Sequence, residues 1–201
     1  MARDPLKRFD QWQQGLQSHT AHLVNRVMEE IVPTFGKNGF ERFSNYACGN
    51  SFAVGTNCVP LQRRSGAEWA TVEILFDKRK RPALGVHFAM LPEICYRQTE
   101  NGPKEIPRLE ANVVEGRAFF ALCKGQHKNS DCNFGYQGIV FRPRRRLDAE
   151  VGILQNLLPW LFSVFDSGIP ASWYASQPGY VHQHAFLSRA SNLFRANTIA
   201  T

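Results

Sequence analysis

The chain has 201 residues, of which 43% are hydrophobic and 20% are charged, and its formal net charge at pH 7 is +7. These fractions are ordinary for a soluble globular protein, and the length suits one domain with a sizeable core, which we assign to residues 1–201. The positive charge permits contact with nucleic acid, a lipid surface or an acidic protein, but it says nothing about the fold.

Neither a membrane span nor a signal peptide is expected. The longest uncharged run near the C-terminus, residues 151–165, contains Pro159 and is shorter than the roughly 20 apolar residues of a membrane span. The five cysteines have no paired spacing, which indicates free buried thiols in a reducing compartment. We therefore predict a cytoplasmic protein that makes no membrane contact.

The N-terminal segment is predicted to be helical. Between Pro5 and about Phe35 the apolar residues recur in steps of three and four, which places them on one stripe of a helix. Gly15 allows this segment to divide into two helices. Pro33 predicts that the second helix ends or kinks there, because proline cannot donate the helical hydrogen bond.

An antiparallel meander of four strands is predicted next. The first two strands are residues 40–47 and 51–61, with a turn over residues 62–66. The last two, residues 68–76 and 83–91, carry apolar residues at every second position and flank the charged joint 77–82. This alternation is typical of an antiparallel pair with one face covered and the other half covered.

The segment after the meander gives weaker signals. Residues 97–133 are predicted to be a polar, loop-rich excursion, within which residues 109–122 fit either helix or strand. Residues 134–141 indicate an edge strand, because glycines interrupt its apolar positions.

The C-terminal part is predicted to be helical. Asp148 is a plausible N-cap for a helix that Pro159 kinks or restarts and that ends near Gly168. A last helix is expected over about 181–195. The fold class is therefore α+β, an antiparallel sheet with N-terminal and C-terminal helices packed on one face.

His87 is the most suggestive candidate for a ligand site. It lies mid-strand between Gly85 and Ala89, on the face with smaller residues, and could form the floor of a pocket. The candidate site includes Trp69 and Glu73 on the preceding strand. A core or half-buried histidine with a satisfied nitrogen is nevertheless the favoured interpretation of His87.

No catalytic, metal or cofactor motif is recognisable. The chain lacks a nucleophile elbow, a phosphate loop, a dinucleotide fingerprint and a paired-histidine zinc motif. Cys123, His127 and Cys132 hold three potential ligands in one loop, but structural zinc sites favour tighter cysteine pairs. We expect no metal, no cofactor and no catalytic residues.

Basic residues cluster at separate turns. Arg63 and Arg64 occupy one predicted turn, and a strand of about nine residues separates them by roughly 30 Å from the next turn. A single-stranded nucleic-acid site favours a continuous basic stripe with interleaved aromatics, so nucleic acid is possible but not favoured. The candidate basic patch comprises Lys78, Arg79, Lys80, Arg81, Arg144, Arg145 and Arg146.

Several short motifs resemble an uncharacterised bacterial domain-of-unknown-function family. Its members have a helix ending in proline, a Lys-x-Gly-Phe-like step, a twisted antiparallel meander and a late helix with a Leu-Pro-aromatic turn. The matching residues are Ile31-Val32-Pro33, Lys37 to Arg42, Leu84-Gly85-Val86 and Leu158-Pro159-Trp160-Leu161. Some relatives lie near toxin–immunity genes, so the resemblance implies a protein-binding or immunity role.

Two hypotheses about function follow. The first is a non-enzymatic, immunity-like or adaptor-like module with a protein partner. Its aromatics include Trp12, Trp160, Trp173 and Tyr174, and we expect some of these to be exposed hot spots. The alternative is an enzyme or small-ligand-binding protein with a pocket near His87. Nucleic-acid binding through the basic turns is a second alternative.

Overall fold

The computed structural model describes residues 5–42, 57–106, 120–124, 133–136 and 138–169. The helices are α1 (Pro5–Gln13), α2 (Ser18–Arg26), α3 (Val32–Lys37) and α4 (Pro143–Ser167), with a π-helical turn, Val27–Ile31, between α2 and α3. The strands are β1 (Glu41–Arg42), β2 (Cys58–Ser65), β3 (Glu68–Phe76), β4 (Ala83–Pro92), β5 (Cys95–Thr99), β6 (Gly102–Ile106), β7 (Phe120–Ala121) and β8 (Phe134–Gly135).

The predicted antiparallel meander is confirmed. The strand order is β1-β2-β3-β4-β7, and β8 also pairs with β4. In the central pair, Val72 lies opposite Phe88 and Glu73 lies opposite His87. With helices before and after this sheet, the α+β class is confirmed.

One face of the sheet and the helices form the core. Phe35 packs edge-on against Phe162 with their ring centroids 5.3 Å apart, and Phe76 stacks on Trp12 at 5.6 Å. Trp12 is therefore buried, so it is not among the exposed hot spots expected within the group of four aromatics. The apolar faces of the predicted helices and strands predict a core that includes Val54, which lies outside the described residues. The other predicted core residues are all buried, namely Val27, Ile31, Val72, Ile74, Phe76, Val86, Phe88, Leu154, Leu158 and Phe162.

The hairpin between β2 and β3 is tighter than predicted. Residues 62–65 continue β2, where Gln62 pairs with Thr71, so the prediction of a five-residue turn was wrong. Only Gly66 and Ala67 connect the strands, and Gly66 has a φ of +60°. Glycine is favoured at the first central position of such a two-residue turn, which allows the strands to pair up to the turn itself.

The helix that contains Pro33 does not end at that residue, so of the two predicted outcomes, an end or a kink, the end is excluded. It continues to Lys37, because the wider π-helical turn immediately before α3 gives the proline ring room. A second proline, Pro159, also lies inside a continuous helix, which excludes the restart but leaves the predicted kink as a prediction. The predicted end of α4 near Gly168 is confirmed.

The start of α4 and the edge strand differ from prediction. The helix begins at Pro143, five residues before the predicted cap Asp148, because proline suits the first helical turn. The strand over residues 134–141 is confirmed only at its first two residues. Gly135 has a φ of +117° and Gly138 a φ of +89°, and these backbone conformations turn the chain away from the sheet.

The polar segment after the meander is partly regular. Residues 95–106 form the hairpin β5–β6, which contradicts the prediction that residues 97–107 are a loop. Thr99 Oγ1 donates to Gly102 O at 2.6 Å and thereby closes the turn. The remaining predictions for residues 43–47, 51–56, 107–119, 125–132 and 170–201 lie outside the described residues.

Candidate functional site

The sheet brings Glu73 and His87 together. They lie directly opposite each other on β3 and β4, with Glu73 Oε2 and His87 Nδ1 4.0 Å apart. The Glu73 side chain is 12% exposed and that of His87 is 38% exposed. Trp69 shares their face but lies four residues from Glu73, about 13 Å along the strand, so it does not join the pair.

Burial keeps both members of this pair uncharged at neutral pH. It raises the pKa of Glu73 from 4.5 to about 8 and lowers the pKa of His87 from its ordinary 6.5. A separation of 4.0 Å is longer than a hydrogen bond. At pH 7 the contact is therefore a neutral carboxylic acid beside a neutral imidazole, and not an ion pair.

Other polar groups lie on the same face. The Thr71 hydroxyl is buried without a hydrogen-bond partner, two residues from Glu73 on β3. The Cys58 thiol is free and buried, and burial together with the nearby Glu73 carboxyl raises its pKa. Among the described residues, no group of three histidine, cysteine or acidic side chains could hold a metal ion.

Trp69 belongs to a different contact. Its indole Nε1 donates to Glu93 Oε2 at 2.7 Å, and the Arg64 guanidinium lies 5.3 Å from its ring centroid. Arg64 also pairs with Glu93. Trp69 is thus held in a charged cluster at the end of the sheet that is formed by the β2–β3 hairpin.

Two of the three predicted basic clusters lie at the opposite end of the sheet. Arg63, beside the β2–β3 hairpin, binds Asp166 near the end of α4 at 2.6 Å. In the first turns of α4, Asp148 accepts a hydrogen bond from His22 of α2 at 2.8 Å. Thr20, also in α2, donates to the carbonyl oxygen of Lys80 in the β3–β4 turn at 2.7 Å. The first turn of α4 therefore lies at the end formed by the β3–β4 turn, and we call this part of the molecule the basic end.

Two acidic groups at the basic end are paired with cations. Asp77 accepts from Arg81 at 2.5 Å, and the buried Glu150 binds both Lys124 and Arg146. Several cations at this end have no acidic partner among the described residues, and they include Lys78, Arg79, Arg144 and Arg145.

The basic end also carries exposed apolar side chains that sequence reasoning assigned to a strand. Ile139 is 106% exposed and Phe141 is 84% exposed. The Arg142 guanidinium lies 5.1 Å from the Phe141 ring centroid. We call Ile139, Phe141, Arg142, Arg144 and Arg145 the arginine–phenylalanine surface. The signal in the sequence was the pair of glycines at 135 and 138, which interrupts the apolar alternation.

One cysteine differs from prediction. Cys123 is buried and disulfide-bonded, whereas the odd number of cysteines and their spacing indicated free thiols. Disulfides persist mainly in oxidising compartments, so the oxidation state of Cys123 bears on the cytoplasmic location, which stays a prediction. None of the helices that the structure describes combines the length and apolar composition needed to cross a membrane.

No protein-family model, curated protein or solved structure matches this chain.

Proposed function

We propose that this protein is a non-enzymatic interaction module that binds an acidic protein partner through the arginine–phenylalanine surface. The observation that carries the proposal is the near-complete exposure of Ile139 and Phe141 beside Arg144 and Arg145, which lack acidic partners among the described residues. An immunity-like or adaptor-like role is compatible with such a module.

The chemistry of this surface suits a protein interface. Single exposed apolar residues are common, but two within three positions, flanked by arginines, form a concentrated patch. Arginine and aromatic residues are enriched where interfaces are buried, and they account for much of the binding free energy. The positive potential would attract an acidic partner and accelerate its association at low salt.

A nucleic-acid partner is less well supported. Single-stranded nucleic acid is held by aromatic side chains that alternate with cations, and Ile139 offers no ring for a base to stack on. The basic residues of the β3–β4 turn and of the first turn of α4 nevertheless lie at the same end of the sheet. Together they give this end more positive charge than either segment has alone. The experiment therefore includes nucleic acid as an outcome.

Photo-crosslinking from position 141 in cells that naturally contain the protein tests the proposal. We expect one acidic protein to be cross-linked, and no cross-link to that protein from position 66 at the opposite end. Recovery of nucleic acid, or of a second copy of this chain, would overturn the proposal.

Substitutions then test the contribution of the surface. Phe141→Ala is expected to weaken binding of the cross-linked partner by about tenfold, since a central aromatic anchor contributes more than 1 kcal/mol. The double variant Arg144→Glu, Arg145→Glu should abolish binding. Lys37→Glu, Lys104→Glu is a control of equal charge change at exposed sites outside the surface, and it should bind nearly normally.

A small-ligand site at the Glu73–His87 pair is a second candidate function. The observation that favours it is a protonated carboxyl beside a neutral imidazole, an arrangement that supplies a proton donor and a proton acceptor. A thermal-shift screen of small organic acids and amines tests it. A shift that is lost in His87→Ala and kept in His22→Ala would support the site, and equal shifts in both variants would count against it.

A further inference from the structure

A cavity of about 450 Å³ lies at the basic end, between the β3–β4 turn and the loop that joins α1 to α2. Its volume is within the range of small-ligand pockets, roughly 300–1,000 Å³. The polar side chains that line it are Gln17, His19, Arg79, Lys80, Arg81 and Tyr136.

The charge of the lining is strongly positive. Three consecutive cations contribute to it, and no acidic residue is among the described residues that line the cavity. Arg81 is neutralised by Asp77, and Lys80 Nζ donates to Gln14 O at 2.9 Å. Arg79 has no acidic partner among the described residues, so its guanidinium is available to an anion.

Hydrogen bonds hold the cationic turn in shape. The Arg79 backbone N–H donates to Asp77 Oδ1 at 2.8 Å, and the Lys80 N–H donates to Asp77 O at 2.8 Å. Lys80 has a φ of +59°, which is uncommon for a residue with a side chain, and Thr20 fixes its carbonyl. The turn is therefore preorganised, which lowers the entropic cost of binding an anion.

The opposite wall supplies neutral hydrogen-bonding groups. The Tyr136 hydroxyl lies 3.1 Å from His19 Nδ1. Burial raises the pKa of Tyr136 above its ordinary value of 10, so the hydroxyl keeps its proton at neutral pH and can donate. A bound molecule would thus meet cations on one side and an aromatic, hydrogen-bonding wall on the other.

We propose that this cavity binds a small phosphorylated molecule, with the phosphate on Arg79 and Lys80 and its organic part against His19 and Tyr136. A guanidinium matches two phosphate oxygens at once, and an ammonium adds a point charge. The ring wall favours an organic phosphate over the inorganic ion. This site is separate from the arginine–phenylalanine surface, although residues 136 and 138 of its lining lie just before that surface.

Calorimetric titration at low ionic strength with adenosine monophosphate, pyrophosphate and inorganic phosphate tests this proposal. We expect saturable binding of the organic phosphate, weaker binding of the inorganic ions and none of chloride. Absence of saturable binding by every phosphate compound at millimolar concentration would overturn it.

Neighbouring cations provide a matched control. Arg79→Gln should weaken binding by about tenfold, because it removes charge-assisted hydrogen bonds. Lys78→Gln, the adjacent cation that does not line the cavity, should change binding by less than about twofold. Equal losses in the two variants would mean that only diffuse positive charge attracts the ion, and would overturn the site. Phe141→Ala should leave phosphate binding unchanged, so this site and the proposed protein interface succeed or fail separately.

Discussion

Burial of the Glu73 carboxyl makes the stability of the fold depend on pH. The pKa of this group is about 8 in the folded protein and near 4.5 when the chain is unfolded. The folded state therefore holds a proton that the unfolded state has lost between these values, and stability falls as the pH rises through this window. Above pH 8 both states are ionised and the stabilising contribution of the protonated Glu73 is lost.

Glu73→Gln is expected to remove this dependence. Between pH 7 and pH 9 the wild-type free energy of unfolding should fall by about 1.4 kcal/mol relative to that of the variant, because one proton is released over that range. Urea unfolding at the two pH values measures the difference. Parallel changes in the two proteins would show that Glu73 ionises normally.

His87 acts in the opposite direction at lower pH. Burial lowers its pKa in the folded state, so the unfolded chain binds a proton first as the pH falls through about 6.5. His87→Gln should therefore reduce the loss of stability on the acid side and leave the alkaline loss unchanged. This difference separates the two residues in one set of titrations.

Glu150 is the buried acid whose charge must be balanced by its neighbours. It is 1% exposed and binds Lys124, whose side chain is 18% exposed, and Arg146, whose side chain is 54% exposed. Lys124→Met should cost about 3 kcal/mol, because it leaves a buried carboxylate without its better-shielded partner. Arg146→Met should cost less than about 1 kcal/mol in the same thermal unfolding measurement. Similar losses in both variants would contradict this ranking.

At the scale of elements, Gly135 determines how β8 docks on the sheet. A Cβ at this position would lie 2.2 Å from Pro82 O, and the φ of +117° is strained for any other residue. Gly135→Ala should therefore cost about 2–3 kcal/mol and detach β8 from β4. The matched control is Gly138→Ala, which has a positive φ but no atom within 4 Å of the added Cβ. Its loss, measured by chemical unfolding, should be clearly smaller, and equal losses would mean that backbone strain alone matters.

The central strands could be predicted because their alternation is strict. Residues 68–76 place apolar side chains on one face at every second position, and the hairpin follows from the charged joint that ends in Pro82. The early end of the strand predicted over 134–141 could not be foreseen. Its apolar residues fit a strand, but Gly135 and Gly138 adopt positive φ, which a strand does not have. The apolar periodicity predicts which side chains share a buried face, but it does not predict the backbone dihedral angles of glycines within the segment.

The candidate sites were only partly visible in the sequence. His87 was singled out for its small neighbours, and Glu73, which was grouped with it, lies directly opposite it on β3. The cavity could not be predicted, because Tyr136 and His19 are 117 positions apart and meet only through packing. Separation along the chain also concealed that Arg144 lies at the same end as Arg79.

At the scale of the whole molecule, the disulfide bears on where the protein resides. Cys123 is disulfide-bonded and Cys58 is free. The disulfide of Cys123 uses two of the five cysteines, so titration of the unfolded, unreduced protein should find no more than three free thiols. Five free thiols in protein isolated from its native cells would support the cytoplasmic prediction instead.

The π-helical turn adds one residue to the continuous helix formed by α2, this turn and α3, compared with a regular α-helix. Leu23, Val27, Ile31 and Phe35 are all buried at steps of four, which in an α-helix of about 100° per residue would drift by roughly 120° over three steps. Deleting Glu29 would change these steps to four, three and four, or about 1,100°, within roughly 20° of three full revolutions. A single-codon deletion at this position would thus let the π-helical turn become regular α-helix while the same side chains stay buried in the core.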